Sequence, residues 1–342
     1  MVVVSRHSVK MSRSREGVRL SSKTRHQVAS DDQCWPPNLV LAQHGPYFDV
    51  LTPSGIVRCV VRGSLKRTRA RTDLVAVGDR VVVRQVAPGE GVIEAVAPRR
   101  RVLSRRARGS DDAEQVIVAN IDQLVAVFAV AQPDPVLGIL DRFLIIAEAQ
   151  DIPAMICLNK IDLDPDGTRR RLFAPYRTAG YPVVETSAQT GQGTDVLWSM
   201  LRGKLSAFAG PSGVGKSSLV KVFRPDLTIR IGAVSEVTGR GRHTTTTTTL
   251  IQLDDETFIA DTPGIGTLGL WGVRAAELDR CFPEFRPYRE ACYYPDCRHR
   301  AEPGCAVREA VEAGKIDRGR YTRYLDVLDE LTETERVSWR AR

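Results

Sequence analysis

No apolar run in this 342-residue chain approaches the ~20 residues that a membrane-spanning helix requires. The longest, such as Leu124–Ala131, have the length of buried strands, and no membrane partner is expected. Cysteine is scarce and unevenly placed. Of seven, Cys34, Cys59, Cys157 and Cys281 are scattered, while Cys292, Cys297 and Cys305 crowd around one histidine. That distribution excludes a disulfide framework and, without a secretory signal, points to metal. Acidic residues are short in the first third: residues 1–110 hold 8 Asp/Glu against 21 Lys/Arg, whereas residues 111–342 hold 33 against 28. The net charge of +8 therefore belongs to the N-terminal part, concentrated at Lys66–Arg71 and Arg99–Arg108, as suits contact with a polyanion. A solvated face with a basic tail is the bland alternative. Internal repeats are absent, and Thr244–Thr249 is the single low-complexity segment.

What is present fills two or three domains, with 42% hydrophobic residues to bury. Residues 1–37, rich in Ser and Arg with no apolar periodicity, read as a disordered basic extension; a transit peptide or a start placed before Met11 are the alternatives. Residues 38–105 carry β-prone runs at Tyr47–Leu51, Ile56–Val61, Arg80–Val86 and Gly91–Ala97. The turns between them are Pro53-Ser54-Gly55, Val77-Gly78-Asp79 and Pro88-Gly89-Glu90-Gly91. This predicts a small barrel of the OB type, with an SH3-like barrel as the alternative. Gly109–Asp112 reads as a linker.

Residues 111–270 alternate strand and helix. Strands are expected at Leu124–Val130, Ala154–Leu158, Val183–Thr186 and Leu205–Ala209. Helices are expected at Val136–Gln150, near Thr168–Ala179, at Thr194–Leu201 and from Lys216. Such alternation predicts a mostly parallel sheet covered on both faces. Leu250–Leu253 and Thr257–Ala260 form a hairpin. Residues 271–342 turn helical around the cysteine cluster and close on a charged amphipathic helix at Tyr321–Val337.

Gly210-Pro211-Ser212-Gly213-Val214-Gly215-Lys216-Ser217 satisfies the phosphate-loop pattern between an apolar strand and a helix. Its glycines let backbone N–H groups wrap phosphates at a helix N-terminus. Lys216 reaches for the β- and γ-phosphates, and the Ser217 hydroxyl for Mg²⁺. Asn159-Lys160-Ile161-Asp162 is a guanine-reading loop. The Asp162 carboxylate can accept both the ring N–H and the exocyclic amine of guanine, Lys160 packs along the base, and the Ala188 N–H of Thr186-Ser187-Ala188 meets the base carbonyl. Asp261-Thr262-Pro263-Gly264 fits the loop that senses the γ-phosphate, with Asp261 on Mg²⁺ through water and the Gly264 N–H on the phosphate. Ile265 follows where many GTPases place a glutamine, and an apolar side chain cannot orient water. His243 is the candidate replacement, with an exposed loop residue or an RNA phosphate contact as the competing reading. One of Thr244–Thr246, Thr245 first among them, completes the Mg²⁺ shell.

Cys292-x4-Cys297-x-His299-x5-Cys305 supplies three thiolates and one imidazole, the closed set of a structural zinc ion. Iron is the alternative metal. Cys281 lies outside the spacing and reads as a packing residue.

The guanine loop precedes the phosphate loop in the chain, the reverse of the Ras-like order, so the domain reads as circularly permuted. Permutation wires the Asp-Thr-Pro-Gly switch almost directly into the metal-binding segment. In that order of motifs, in Gly210–Ser218 with its paired Ser217 and Ser218, in Gly241-Arg242-His243-Thr244-Thr245-Thr246 and in the Cys297–Cys305 stretch, the chain from Asn38 onward resembles the RsgA/YjeQ family of circularly permuted GTPases. The resemblance implies an N-terminal OB domain, a permuted GTPase domain and a C-terminal zinc domain. It implies GTP hydrolysis stimulated by the 30S ribosomal subunit during its late maturation, with 16S rRNA, GTP and GDP as partners, in a cytoplasmic monomer. It also implies His243 as the catalytic group. An RNA-binding chaperone, its nucleotide mainly structural, is the alternative function. The long threonine run beyond Thr246 and the basic extension depart from the family pattern.

Overall fold

Valines and aromatics at alternate positions of short segments form a five-stranded barrel in the computed structural model, which describes residues 37–63, 72–106, 114–227, 248–261, 270 and 272–340. The strands are β1 (Asn38–His44), β2 (Tyr47–Thr52), β3 (Gly55–Val61), β4 (Arg80–Ala87) and β5 (Glu90–Val96). They run in the order β1-β2-β3-β5-β4, with β3 parallel to β5. Asn38↔Val81 and Leu39↔Arg80 pair β1 with β4 and close the ring, as an OB-type barrel does. Val40, Phe48, Val50, Val57, Cys59, Val81 and Ile93 fill it. β1 was not among the expected runs. Its four central residues are all buried because β2 and β4 flank it and Thr249 pairs with Ala42, so it lacks the alternation of a half-exposed strand.

A second unexpected feature is the ribbon of β6 (Val102–Arg106) and β7 (Glu114–Ala119), antiparallel from Val102↔Ala119 to Arg106↔Glu114. It brackets the segment that reads as a linker, and 107–113 lie outside the described residues.

The GTPase-type sheet uses β8 (Gln123–Ala129), β9 (Ala154–Asn159), β10 (Val183–Glu185), β11 (Leu205–Ala209), β12 (Thr249–Gln252) and β13 (Phe258–Asp261). Their order is β10-β9-β8-β11-β13-β12, parallel except for β12. β8 and β11 are buried at every residue, as central parallel strands with both faces covered must be. The helices α1 (Leu137–Ala149) and α2 (Ala174–Thr178) cover one face, and α3 (Thr194–Leu201) and α4 (Lys216–Phe223) the other. The helix expected near Thr168–Ala179 is instead a 3-10 turn at Arg170–Phe173 followed by the short α2. Asp164 draws the Arg169 and Arg170 N–H groups (3.1 and 3.0 Å) into a turn, and Pro175 has no N–H for a continuous helix.

The C-terminal region holds 3-10 turns at Ala275–Cys281 and Pro283–Phe285, then α5 (Arg286–Arg289), α6 (Ala306–Glu312) and α7 (Arg318–Arg340). Tyr324, Val327, Leu328 and Leu331 give α7 its buried stripe. A buried ionic cluster joins α7 to α1. Arg320 donates to Asp141 Oδ1 (2.6 Å) and Glu284 Oε1 (2.7 Å), Arg323 reaches Asp141 Oδ2, and Tyr176 OH donates to Asp141 Oδ1 (2.7 Å). The Arg320 guanidinium also lies over the rings of Tyr176 and Phe282, 4.9 and 4.7 Å from their centroids. Among the described residues no helix is long and apolar enough to cross a membrane.

Candidate functional site

β9, β11 and β13 run the same way and end at Asn159, Ala209 and Asp261, so the loops after them open on one edge of the sheet. That carboxyl edge is where open α/β sheets bind ligands. A Cβ on Gly210 would stand 2.1 Å from Val127 O. One on Gly215, at φ +98°, would stand 2.3 Å from Asn159 Nδ2. Only glycine lets the loop lie this close to β8 and to the guanine loop. Gly215 is also the N-cap of α4, so the N–H groups of Lys216, Ser217 and Ser218 in the first turn are free of helix partners.

Lys216 Nζ donates to Gly210 O (2.7 Å) and Pro211 O (2.9 Å). The register Phe208↔Asp261 places the Asp261 carboxyl next to the strand that feeds this loop. Burial pushes Asp261 up to about 6, with Lys216 pulling back, and burial lowers the Lys216 ammonium, with Asp261 opposing. A carboxylate and a serine hydroxyl are hard oxygen donors of the kind Mg²⁺ takes.

Asn159 knits the loops together. Its Nδ2 donates to Val214 O of the phosphate loop (2.9 Å), and its Oδ1 accepts from Thr186 Oγ1 (3.2 Å) and the Ala188 N–H (3.1 Å). The Ala188 N–H that the sequence assigns to the base thus meets Asn159 here. Lys160 sits at φ +63° and its ammonium reaches Gln132 O. Ile161 is buried and Asp162 exposed, its Oδ1 accepting from Ser187 Oγ (2.5 Å). Arg170 bridges Asp164 Oδ2 (3.3 Å) and Glu185 Oε2 (3.0 Å), tying the turn after Asp162 to the strand before Ser187. No spacing rule marks Arg170 in the sequence. His243, Thr244–Thr246 with the favoured Thr245, Gly264 and Ile265 lie outside the described residues, as does Lys66–Arg71.

Much of the second basic cluster is engaged in the fold. Arg99 donates to Asp79 Oδ1 and Oδ2 (both 2.8 Å) and to Asp73 O (2.8 Å), Arg101 to Asp151 O (2.9 Å) and Arg105 to Gln115 Oε1 (2.8 Å).

Cys292, Cys297, His299 and Cys305 offer ligand atoms within 4.8 Å of one another. Cys292 Sγ lies 4.0 Å from Cys305 Sγ, and His299 Nδ1 lies 3.5 and 3.4 Å from those two sulfurs. A tetrahedral zinc ion sets sulfurs about 3.8 Å apart and sulfur–nitrogen pairs about 3.5 Å apart, so the four residues fit such an ion. His299 holds φ +58°, with Tyr321 OH on its carbonyl (2.6 Å), Tyr324 OH on the carbonyl of Arg298 (2.8 Å) and its own N–H on Cys297 Sγ (3.4 Å). Glu302 accepts the N–H groups of Arg298, Arg300 and Ala301 (2.9, 2.7 and 3.0 Å); against the pull of burial, these keep its carboxyl down at about 2. Burial pushes the Cys297 thiol up to about 12, so an arriving cation has protons to displace.

The family model described as RsgA GTPase matches residues 96–271. A small ribosomal subunit biogenesis GTPase RsgA of Gemmatimonas aurantiaca is 45% identical over 86% of this chain and 96% of its own. A protein of the same name from Moorella thermoacetica is 44% identical over 87% of this chain and 98% of its own. Among solved structures, YjeQ from Thermotoga maritima superposes with a TM-score of 0.71 at 35% identity, covering 86% of this chain and 98% of that one. YloQ, a circularly permuted GTPase, gives 0.66 at 29% identity over 92% of this chain and 99% of that one.

Proposed function

Because this chain belongs to the RsgA family of circularly permuted GTPases, we propose that it hydrolyses GTP to GDP and phosphate when the 30S subunit stimulates it, late in that subunit's maturation. The family membership makes it a GTP-hydrolysing enzyme of small ribosomal subunit biogenesis, with GTP, GDP and the subunit as partners. The observation that supports the finer reading most is the convergence of Asp162, the Gly210–Ser217 loop and Asp261 on one sheet edge, stitched by Asn159.

In this reading Asp162 accepts the two guanine N–H donors while Ser187 steadies its other side. The first-turn N–H groups of α4 and the Lys216 ammonium take the phosphates; Lys216 gives up the carbonyls of Gly210 and Pro211 to do so. Ser217, Thr245 and, through water, Asp261 hold Mg²⁺, which when bound neutralises phosphate charge. The Gly264 N–H senses the γ-phosphate. His243 orients the attacking water, since Ile265 cannot. Cys292, Cys297, His299 and Cys305 hold one structural zinc ion. The barrel contacts 16S rRNA, and the protein works as a monomer in the cytoplasm.

The test is hydrolysis by the purified chain with 30S subunits, 50S subunits or none, and with ATP in place of GTP. Slow GTP turnover raised strongly by 30S alone, and lost in Lys216→Ala, is expected. Turnover indifferent to 30S would leave an RNA-binding chaperone as the better account.

A further inference from the structure

A histidine that gives Nδ1 to a metal keeps its remaining proton on Nε2, and that N–H must donate to something. His299 is 1% exposed, and its Nε2 is one of the buried polar atoms with no hydrogen-bond partner among the described residues. Its Nδ1 faces the sulfurs of Cys292 and Cys305. Aromatic rings crowd the imidazole: Phe285 meets it edge-on with centroids 5.8 Å apart, and Tyr324 lies at 6.3 Å. Asp279 Oδ2 lies 3.9 Å from Nε2. Asp279 belongs to the 3-10 turn Ala275–Cys281, outside the ligand motif, and Arg289 Nη1 stands 3.8 Å from the same oxygen.

We propose that Asp279 is the positioning residue of the metal centre, accepting the Nε2–H of His299 and so fixing its tautomer and ring orientation. The inference rests on the zinc reading above. About 1 Å of closure brings the pair to hydrogen-bond length. An aspartate there also makes the imidazole a stronger donor to the metal, because the carboxylate stabilises positive charge drawn onto the ring. Arg289 limits the effect by sharing the carboxylate, which keeps Asp279 from being a lone charge in a half-buried turn.

The test measures zinc release from the full chain to a chromogenic chelator, with the absorption spectrum of the Co²⁺-loaded form beside it, for the wild type, Asp279→Asn and Asp279→Ala. Asp279→Ala is expected to weaken zinc binding 10–100-fold. The near-isosteric Asp279→Asn, which keeps an acceptor and loses the charge, is expected to fall between. Both should shift the Co²⁺ bands, and the metal-free stability of the two variants should match the wild type. Zinc affinity in Asp279→Ala within about twofold of wild type, with an unchanged Co²⁺ spectrum, overturns the proposal. So does an affinity loss mirrored in metal-free stability, which marks a packing role. A wild-type chain that takes up no stoichiometric zinc fails the metal reading itself, separately from Asp279.

Discussion

Asn159 commits its amide to Val214 O, Thr186 and the Ala188 N–H, so in the proposed GTP site it acts through loop geometry more than on the base. Asn159→Ala leaves the Val214 carbonyl without that donor, a cost of about 1–3 kcal/mol. GTP and GDP affinity are expected to drop together, by about tenfold or more, in a fluorescent-nucleotide titration. A loss confined to GTP would point to a γ-phosphate role instead. Asp261 carries the pH dependence. Its carboxyl is raised to about 6 by burial, so the folded chain holds the proton more tightly than the unfolded chain does. Ionising it in the metal-free protein therefore lowers stability as pH rises from about 4 to about 6. The proposed Mg²⁺ site needs the ionised form, so Mg²⁺-dependent GTP affinity is expected to fall by up to about tenfold per unit as pH drops below about 6. Asp261→Asn should abolish that slope. Asp162, the glycines and Lys216 were legible as residues because each obeys a short spacing rule. Arg170 and Asp279 were not, because each acts across a fold contact that no motif encodes.

Among the elements, α1 and α7 decide how the C-terminal region sits. Asp141 and Arg320 are both essentially unexposed, and their pairing spans 179 residues of chain. Removing Arg320 leaves Asp141 with Arg323 and Tyr176 but strands the nearly buried Glu284 carboxylate. Arg320→Met is thus expected to lower the unfolding free energy by about 3–5 kcal/mol in urea titration. Glu284→Leu combined with Arg320→Met, which also removes the stranded carboxylate, is expected to regain much of that loss; if the double variant is as unstable as the single, the stranded charge is not its cause. The amphipathic stripe of α7 was legible from its period. Its partner was not, because an arginine in a charged helix looks like any solvated residue until the packed fold buries it. The break in the helix at 170–178 was hidden for a related reason: Asp164 captures N–H groups that a regular helix would have used.

Across the whole molecule, the ionic cluster fastens the C-terminal region to the GTPase domain on the α1 face. The metal-binding region is therefore tied to α1 by side-chain contacts as well as by the chain that follows Asp261. Chelating the metal tests the independence of the parts. Hydrogen exchange in residues 286–312 is expected to rise sharply, while GDP affinity stays within about twofold and stimulation by 30S is lost. Unchanged exchange would mean that the aromatic packing of Phe285, Tyr321 and Tyr324 holds this region without an ion.

The sequence by itself determined the chemistry: a phosphate loop, a guanine loop placed ahead of it, a four-ligand cysteine–histidine set and the alternation that makes a parallel sheet. Each depends on residues a few positions apart, where spacing fixes geometry. Tertiary structure alone decided which of those groups are free to act. It turned Arg99, Arg101 and Arg105 from a basic cluster into fold contacts and made a buried strand of β1. It set Asn159 between three loops and brought Asp279 to the back of His299. These outcomes rest on contacts between distant segments, where burial and hydrogen-bond satisfaction, not local pattern, select the partner.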